Sequence, residues 1–70
     1  MSDWIYVDSS NLDAIRYNGD QQELQVRFKD GSEYAYDNVP EHVFEGLRDA
    51  DSKGSYLHRE VKGKFAYHKL

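Results

Sequence analysis

Residues 24–37 read Leu24-Gln25-Val26-Arg27-Phe28-Lys29-Asp30-Gly31-Ser32-Glu33-Tyr34-Ala35-Tyr36-Asp37. Leu24, Val26 and Phe28 alternate with Gln25, Arg27 and Lys29, the period-2 signature of a strand with one face buried. The turn that follows allows two registers, and they send Tyr34 and Tyr36 to opposite faces of a hairpin. A two-residue turn at Asp30-Gly31 pairs Val26 with Ala35 and puts Glu33 and Asp37 on the apolar face. A three-residue loop, Lys29-Asp30-Gly31, with Gly31 in the left-handed conformation as a bulge, pairs Val26 with Tyr34 and Leu24 with Tyr36. Burying an unpaired carboxylate costs several kcal/mol, more than a glycine bulge, so the second register is expected. Leu24, Val26, Phe28, Tyr34 and Tyr36 then form the core side, and both tyrosines are structural. Gln25, Arg27, Glu33, Ala35 and Asp37 are left on the exposed side.

Upstream of the hairpin, Leu12 to Tyr17 is apolar-rich and ends in the turn signal Asn18-Gly19-Asp20, which predicts an antiparallel partner for the strand at 24–28. Trp4 to Val7 reads as a short strand or as a leader packed on the sheet. Downstream, the single proline, Pro40, marks the change from strand to helix spacing. Asn38 reads as an N-cap with Glu41 three residues later, and Val43, Phe44, Leu47 and Ala50 form one apolar stripe. Asp49, Asp51 and Ser52 suggest a break. A second short helix then carries Tyr56, Leu57 and Val61 inward before Gly63 ends it. The tail Lys64 to His68 reads as a last strand or an extended segment. The expected fold is α+β: a small antiparallel sheet of three or more strands followed by two short helices packed on one face.

A chain of 70 residues is expected to form a single domain over residues 1–70, burying only about 60% of the surface its unfolded form exposes. Without cysteine there is no disulfide framework and no thiolate metal site, which fits a reducing cytoplasm. The start Met1-Ser2-Asp3-Trp4 lacks the basic start and apolar run of a signal peptide, and no stretch is long and apolar enough to span a bilayer. A cytoplasmic location and no membrane partner are expected.

The net charge of −4 argues against a generic duplex-binding protein. It hides an asymmetry: residues 1–51 hold twelve acids and four bases, net −8, whereas residues 52–70 hold one acid and five bases, net +4. In that tail Lys53, Arg59, Lys62, Lys64 and Lys69 interleave with Tyr56, Phe65 and Tyr67. One reading is a contact surface for single-stranded RNA, with Lys53, Arg59, Lys62, Lys64 and Lys69 on phosphates and Tyr67 stacking on a base. The other is a set of core aromatics beside a solvated basic face.

Catalytic chemistry finds no foothold. The Ser, His and Asp residues show no triad spacing, His58 and Glu60 point to different sides of a helix, and Lys53-Gly54 lacks the preceding glycine and strand of a phosphate loop. No catalytic residue, metal site, cofactor or small-molecule substrate is therefore assigned.

The order Leu-x-Val-x-Phe at 24–28, a turn glycine at 31, Tyr34-x-Tyr36, Val39-Pro40, an amphipathic helix, Ser52-Lys53-Gly54 and a basic aromatic tail resembles the KTSC domain, over about Val7 to Leu70 and including Ser9-Ser10. That domain occurs alone in bacterial proteins and at the C-terminus of certain lysyl-tRNA synthetases, and a central Tyr-x-Tyr is its mark. For function the resemblance implies RNA or tRNA association, by way of the synthetases. The reading from residues alone keeps a second class open, a module that binds a protein partner.

Overall fold

The computed structural model describes residues 3–70; Met1 and Ser2 lie outside the described residues. Strands β1 (Ile5–Tyr6), β2 (Leu12–Asn18), β3 (Glu23–Phe28) and β4 (Glu33–Tyr36) precede helices α1 (Glu41–Asp49) and α2 (Lys53–Glu60), and β5 (Tyr67–Lys69) closes the chain. All neighbours in the sheet are antiparallel and the spatial order is β1-β2-β3-β4-β5. The fold is α+β, as the spacing predicted, and strands form both in the segment read as strand or leader (Trp4 to Val7) and in the tail read as a last strand or an extended segment (Lys64 to His68).

The hairpin takes the bulged register. Val26 lies opposite Tyr34 and Leu24 opposite Tyr36, and Gly31 carries a φ of 94° that a side chain would strain. The Phe28 N–H donates to the Ser32 carbonyl at 2.8 Å and the Gly31 N–H to the Phe28 carbonyl at 2.9 Å. Asp30 locks the loop by accepting from the Ser32 N–H at 2.9 Å and the Ser32 hydroxyl at 2.6 Å, which lowers its carboxyl pKa. One further irregularity bends the sheet: the β2–β3 register shifts between Leu12 and Ala14, leaving Asp13 as an extra residue.

Behind the sheet, Leu12, Ile15, Leu24 and Val26 meet Leu47 of α1, Leu57 of α2 and Val61, all essentially without solvent contact. Each such side chain contributes roughly 1.5–3 kcal/mol on burial. Tyr17 stacks on Phe44 with ring centroids 5.0 Å apart, and its hydroxyl donates to the Val39 carbonyl, which fastens the β4–α1 connection to β2.

Two local expectations are corrected. Asn38 is not the N-cap: it sits in the left-handed region at φ 59°, and Pro40 occupies the cap position with extended backbone. A cap needs β-region backbone, while the chain leaving β4 must turn sharply enough for the Val39 N–H to reach the Gln22 carbonyl at 2.8 Å. Asparagine tolerates that left-handed turn. The second correction concerns the sheet face assigned to solvent. Gln25 is 5% exposed and Ala35 fully buried. Trp4 packs on this side, its ring 4.2 Å from the Arg16 guanidinium and 4.4 Å from that of Arg27. Arg16 donates to Gln25 at 2.7 Å, and Arg27 is held by Glu33 at 2.9 Å, so both cations are anchored where the indole lies.

The two helices approach closely at Gly46. A Cβ there would overlap the Tyr56 hydroxyl and crowd its ring. Alanine in a helix interior is worth up to about 1 kcal/mol over glycine, but overpacking costs about 1–3 kcal/mol. The G46A variant should therefore melt below wild type, and the loss should shrink in a Y56L background. Equal melting temperatures for G46A and wild type would refute the contact.

Candidate nucleic-acid interface

Helix α1 packs against β2, whereas β5, at the far edge of the sheet, is exposed along its length. Alternation puts Tyr34 and Tyr36 on the same face of β4, and the register of β5 sets Tyr67 directly across from Tyr36. Tyr36 is 3% exposed and belongs to the core, Tyr34 is half-buried, and Tyr67 is 61% exposed. The rings form a continuous chain. Phe28 meets Tyr34 edge to face at 5.8 Å and 79°, Tyr34 meets Tyr67 at 5.9 Å and 66°, and Tyr36 tilts against Tyr67 at 5.6 Å. With Ser32, Lys62 and Gly63 these rings line a groove of about 460 Å³.

Gly63, at φ 83°, makes the turn that returns the chain from α2 toward β5. Lys62, just before this turn, lines the groove with its ammonium 5.4 Å from the Phe28 ring. Burial, then the neighbouring Tyr67 and Tyr34, pushes the Tyr36 phenol above its ordinary pKa, so it stays a neutral hydroxyl at physiological pH. The groove offers aromatic surface, phenolic hydroxyls and the Lys62 cation. Beside it lies a polar cavity of about 640 Å³, between the Ser9-Ser10-Asn11 loop and α2, and Lys62 lines both.

The six residues proposed from sequence fall in three places. Lys62 and Tyr67 line the groove, and Lys69, two residues beyond Tyr67 on β5, pairs with Tyr34. Lys53 borders the polar cavity and donates to the Ala50 carbonyl at 3.0 Å, closing the end of α1. Arg59 and Lys64 converge instead on Glu60, at 3.1 and 3.7 Å, and Arg59 also lies 5.7 Å from the Tyr56 ring. Tyr34 and Tyr36, assigned to the core, are at once core and groove wall. Phe28 and Ser32 were missed as lining residues. The signal was present in the register, which places Phe28 one step past Tyr34, but the groove needs β5 docked against β4 to exist.

Five antiparallel strands, two helices over one face and a tyrosine-lined groove at the β5 edge define a small α+β domain without a helix long and apolar enough to cross a membrane among the described residues. The sequence profile of the KTSC domain matches residues 8–65, and the chain belongs to the KTSC domain family. A crystal structure of a KTSC domain protein from Yersinia pestis superposes with a TM-score of 0.94 at 32% identity, covering 97% of this chain and 96% of that one. Over 63 residues the chain is 43% identical to a lysine–tRNA ligase of Trichormus variabilis, spanning 90% of itself and only 11% of the ligase. It is also 36% identical to an uncharacterized protein of Stutzerimonas stutzeri, covering 83% of this chain and 82% of that protein.

Proposed function

We propose that the domain is a non-enzymatic accessory module that binds single-stranded RNA, including unpaired segments of tRNA, in the tyrosine groove. The observation that carries this reading is the groove itself: Phe28, Tyr34 and Tyr67 supply accessible aromatic surface over the buried Tyr36, and Lys62 lines the same groove for a phosphate. Its size suits one or two splayed nucleotides and not a duplex. Lys69 adds charge on the same strand as Tyr67, so the part of the basic tail that matters is the part nearest β5. The lysine–tRNA ligases that contain a similar segment supply a setting in which tRNA is at hand, and a cytoplasmic location follows from the same reading. The acidic remainder of the chain, net −8 over residues 1–51, limits long-range steering of RNA. Screening within ~8 Å at physiological ionic strength still lets the tail act locally.

A second reading rests on β5, a three-residue strand at the end of the sheet order. An extended protein segment could pair there. Titration of a fluorescent single-stranded RNA and of a tRNA, at low and near-physiological salt, separates the two. Affinity should fall with salt at a slope of roughly −0.7 per phosphate contacted, and Lys62→Gln should remove about one contact from that slope. Absence of binding by wild type at low salt would refute the RNA reading, and a partner captured after nuclease treatment would favour the edge strand.

A further inference from the structure

The concave surface does not end with the tyrosine groove. A third hollow, of about 380 Å³, shares Phe28 and Lys62 with the groove and Ser10, Asn11 and Lys62 with the polar cavity, and adds Lys29 and Asp30. The three form one track with Lys62 in the wall of each. A backbone bond fixes its middle: the Lys29 N–H donates to the Asn11 carbonyl at 2.9 Å, tying the loop after β3 to the loop before β2. At the far end the track is lined by donors where the groove is lined by phenol rings. Ser9 accepts from the Asn11 N–H at 3.3 Å and the Leu12 N–H at 3.2 Å, which fills its lone pairs and leaves its hydroxyl proton to donate. The Asn11 amide, the Ser55 hydroxyl and the Lys53 and Lys62 ammonium groups line the same cavity. Such a lining suits an occupant rich in acceptors, and phosphate oxygens are strong ones. Of the carboxylates along the track, Asp30 is turned into its own loop by the two hydrogen bonds from Ser32. Asp8 and Asp51 are exposed, where water and salt screen them.

We infer that an RNA strand seated in the tyrosine groove continues along this track, with successive phosphates beside Lys62, Lys29 and Lys53, so that the footprint is longer than the groove. The inference rests on the groove binding a single strand, as proposed above. Bases are then stacked at one end only. The other end holds backbone, which positions the strand and carries no sequence information.

The test compares a uridine dinucleotide, short enough for the groove alone, with a uridine hexanucleotide, by NMR titration at low and near-physiological salt. The hexanucleotide should move the amide signals of Asn11 and Ser55 as well as those of the groove, and the dinucleotide only the latter. It should also lose affinity with salt more steeply, by two further phosphate contacts at roughly −0.7 each, so that a threefold rise in salt costs it about fivefold more. Lys29→Gln should remove one of these contacts, and Lys29→Gln with Lys53→Gln both. Neither lysine lines the groove, so dinucleotide binding should stay at the wild-type level in each. Lys29 is exposed, and the single variant should remain folded even if loss of the Lys53 bond to the Ala50 carbonyl loosens the double one. Lys64→Gln, which removes a charge that lines none of the three hollows, should leave the hexanucleotide slope unchanged. Equal slopes for the two oligomers, unmoved Asn11 and Ser55 signals, or an unchanged slope in Lys29→Gln would each overturn the inference and leave the groove reading intact. A loss in Lys64→Gln equal to that in Lys29→Gln would also overturn it, by showing an effect of net charge. If neither oligomer binds, the groove reading fails and this inference with it.

Discussion

Replacing Tyr36 with alanine is expected to lower the free energy of unfolding by about 3–5 kcal/mol, the range for removing a buried aromatic ring. At 3% exposure the ring lies in the core cluster with Tyr67 tilted against it, so its removal opens a void at the edge of the core. A chain of this length has roughly 4–10 kcal/mol of net stability in all, so a large share of Tyr36→Ala molecules should be unfolded at physiological temperature. Tyr34, half-buried, should cost less on the same change. Tyr36→Phe keeps the ring and should retain most of the stability. Urea denaturation of the three variants at matched slope gives the ranking. A Tyr36→Ala variant that unfolds at the wild-type midpoint would refute the assignment of this ring to the core.

That prediction follows from a register legible in the sequence, because the alternative would have buried Glu33 and Asp37. The helical stripe was equally legible, since Phe44 and Leu47 sit at helical spacing and point at the sheet. What escaped the sequence lies where distant segments meet. Gln25 looks like a solvent residue on its own strand, and only a tryptophan twenty-one positions earlier, drawn under two guanidiniums, helps to close that face. Asn38 fits a capping pattern locally, yet the backbone turn that ties Val39 to Gln22 demands a left-handed residue there. Tyr67 reads from sequence either as a stacking residue of the basic tail or as a core aromatic, and only β5 docked against β4 sets it across from Tyr36. The tail alternates too weakly to announce a strand, and it is the pairing of Leu70 with Glu33 and of Asp37 with Ala66 that holds it to β4.

Tyr67→Ala is expected to divide stability from binding. At 61% exposure its ring contributes edge contacts to Tyr34 and Tyr36 but little buried area, so the variant should stay folded with only a modest drop in melting temperature. In the proposed complex the same ring is the most accessible stacking face in the groove. Loss of one base–aromatic stack costs about 1–3 kcal/mol, and RNA affinity should weaken by roughly 5- to 150-fold. Tyr67→Phe preserves the face and should bind within a few-fold of wild type. The comparison with Lys62→Gln is informative because the two losses differ in kind: removing the ammonium flattens the salt dependence, whereas removing the ring lowers affinity at every salt concentration and leaves the slope alone. A folded Tyr67→Ala variant that binds RNA as tightly as wild type would move the stacking surface away from β5. The exposed ring would then be a guard over Tyr36, shielding the core at the β5 edge of the sheet.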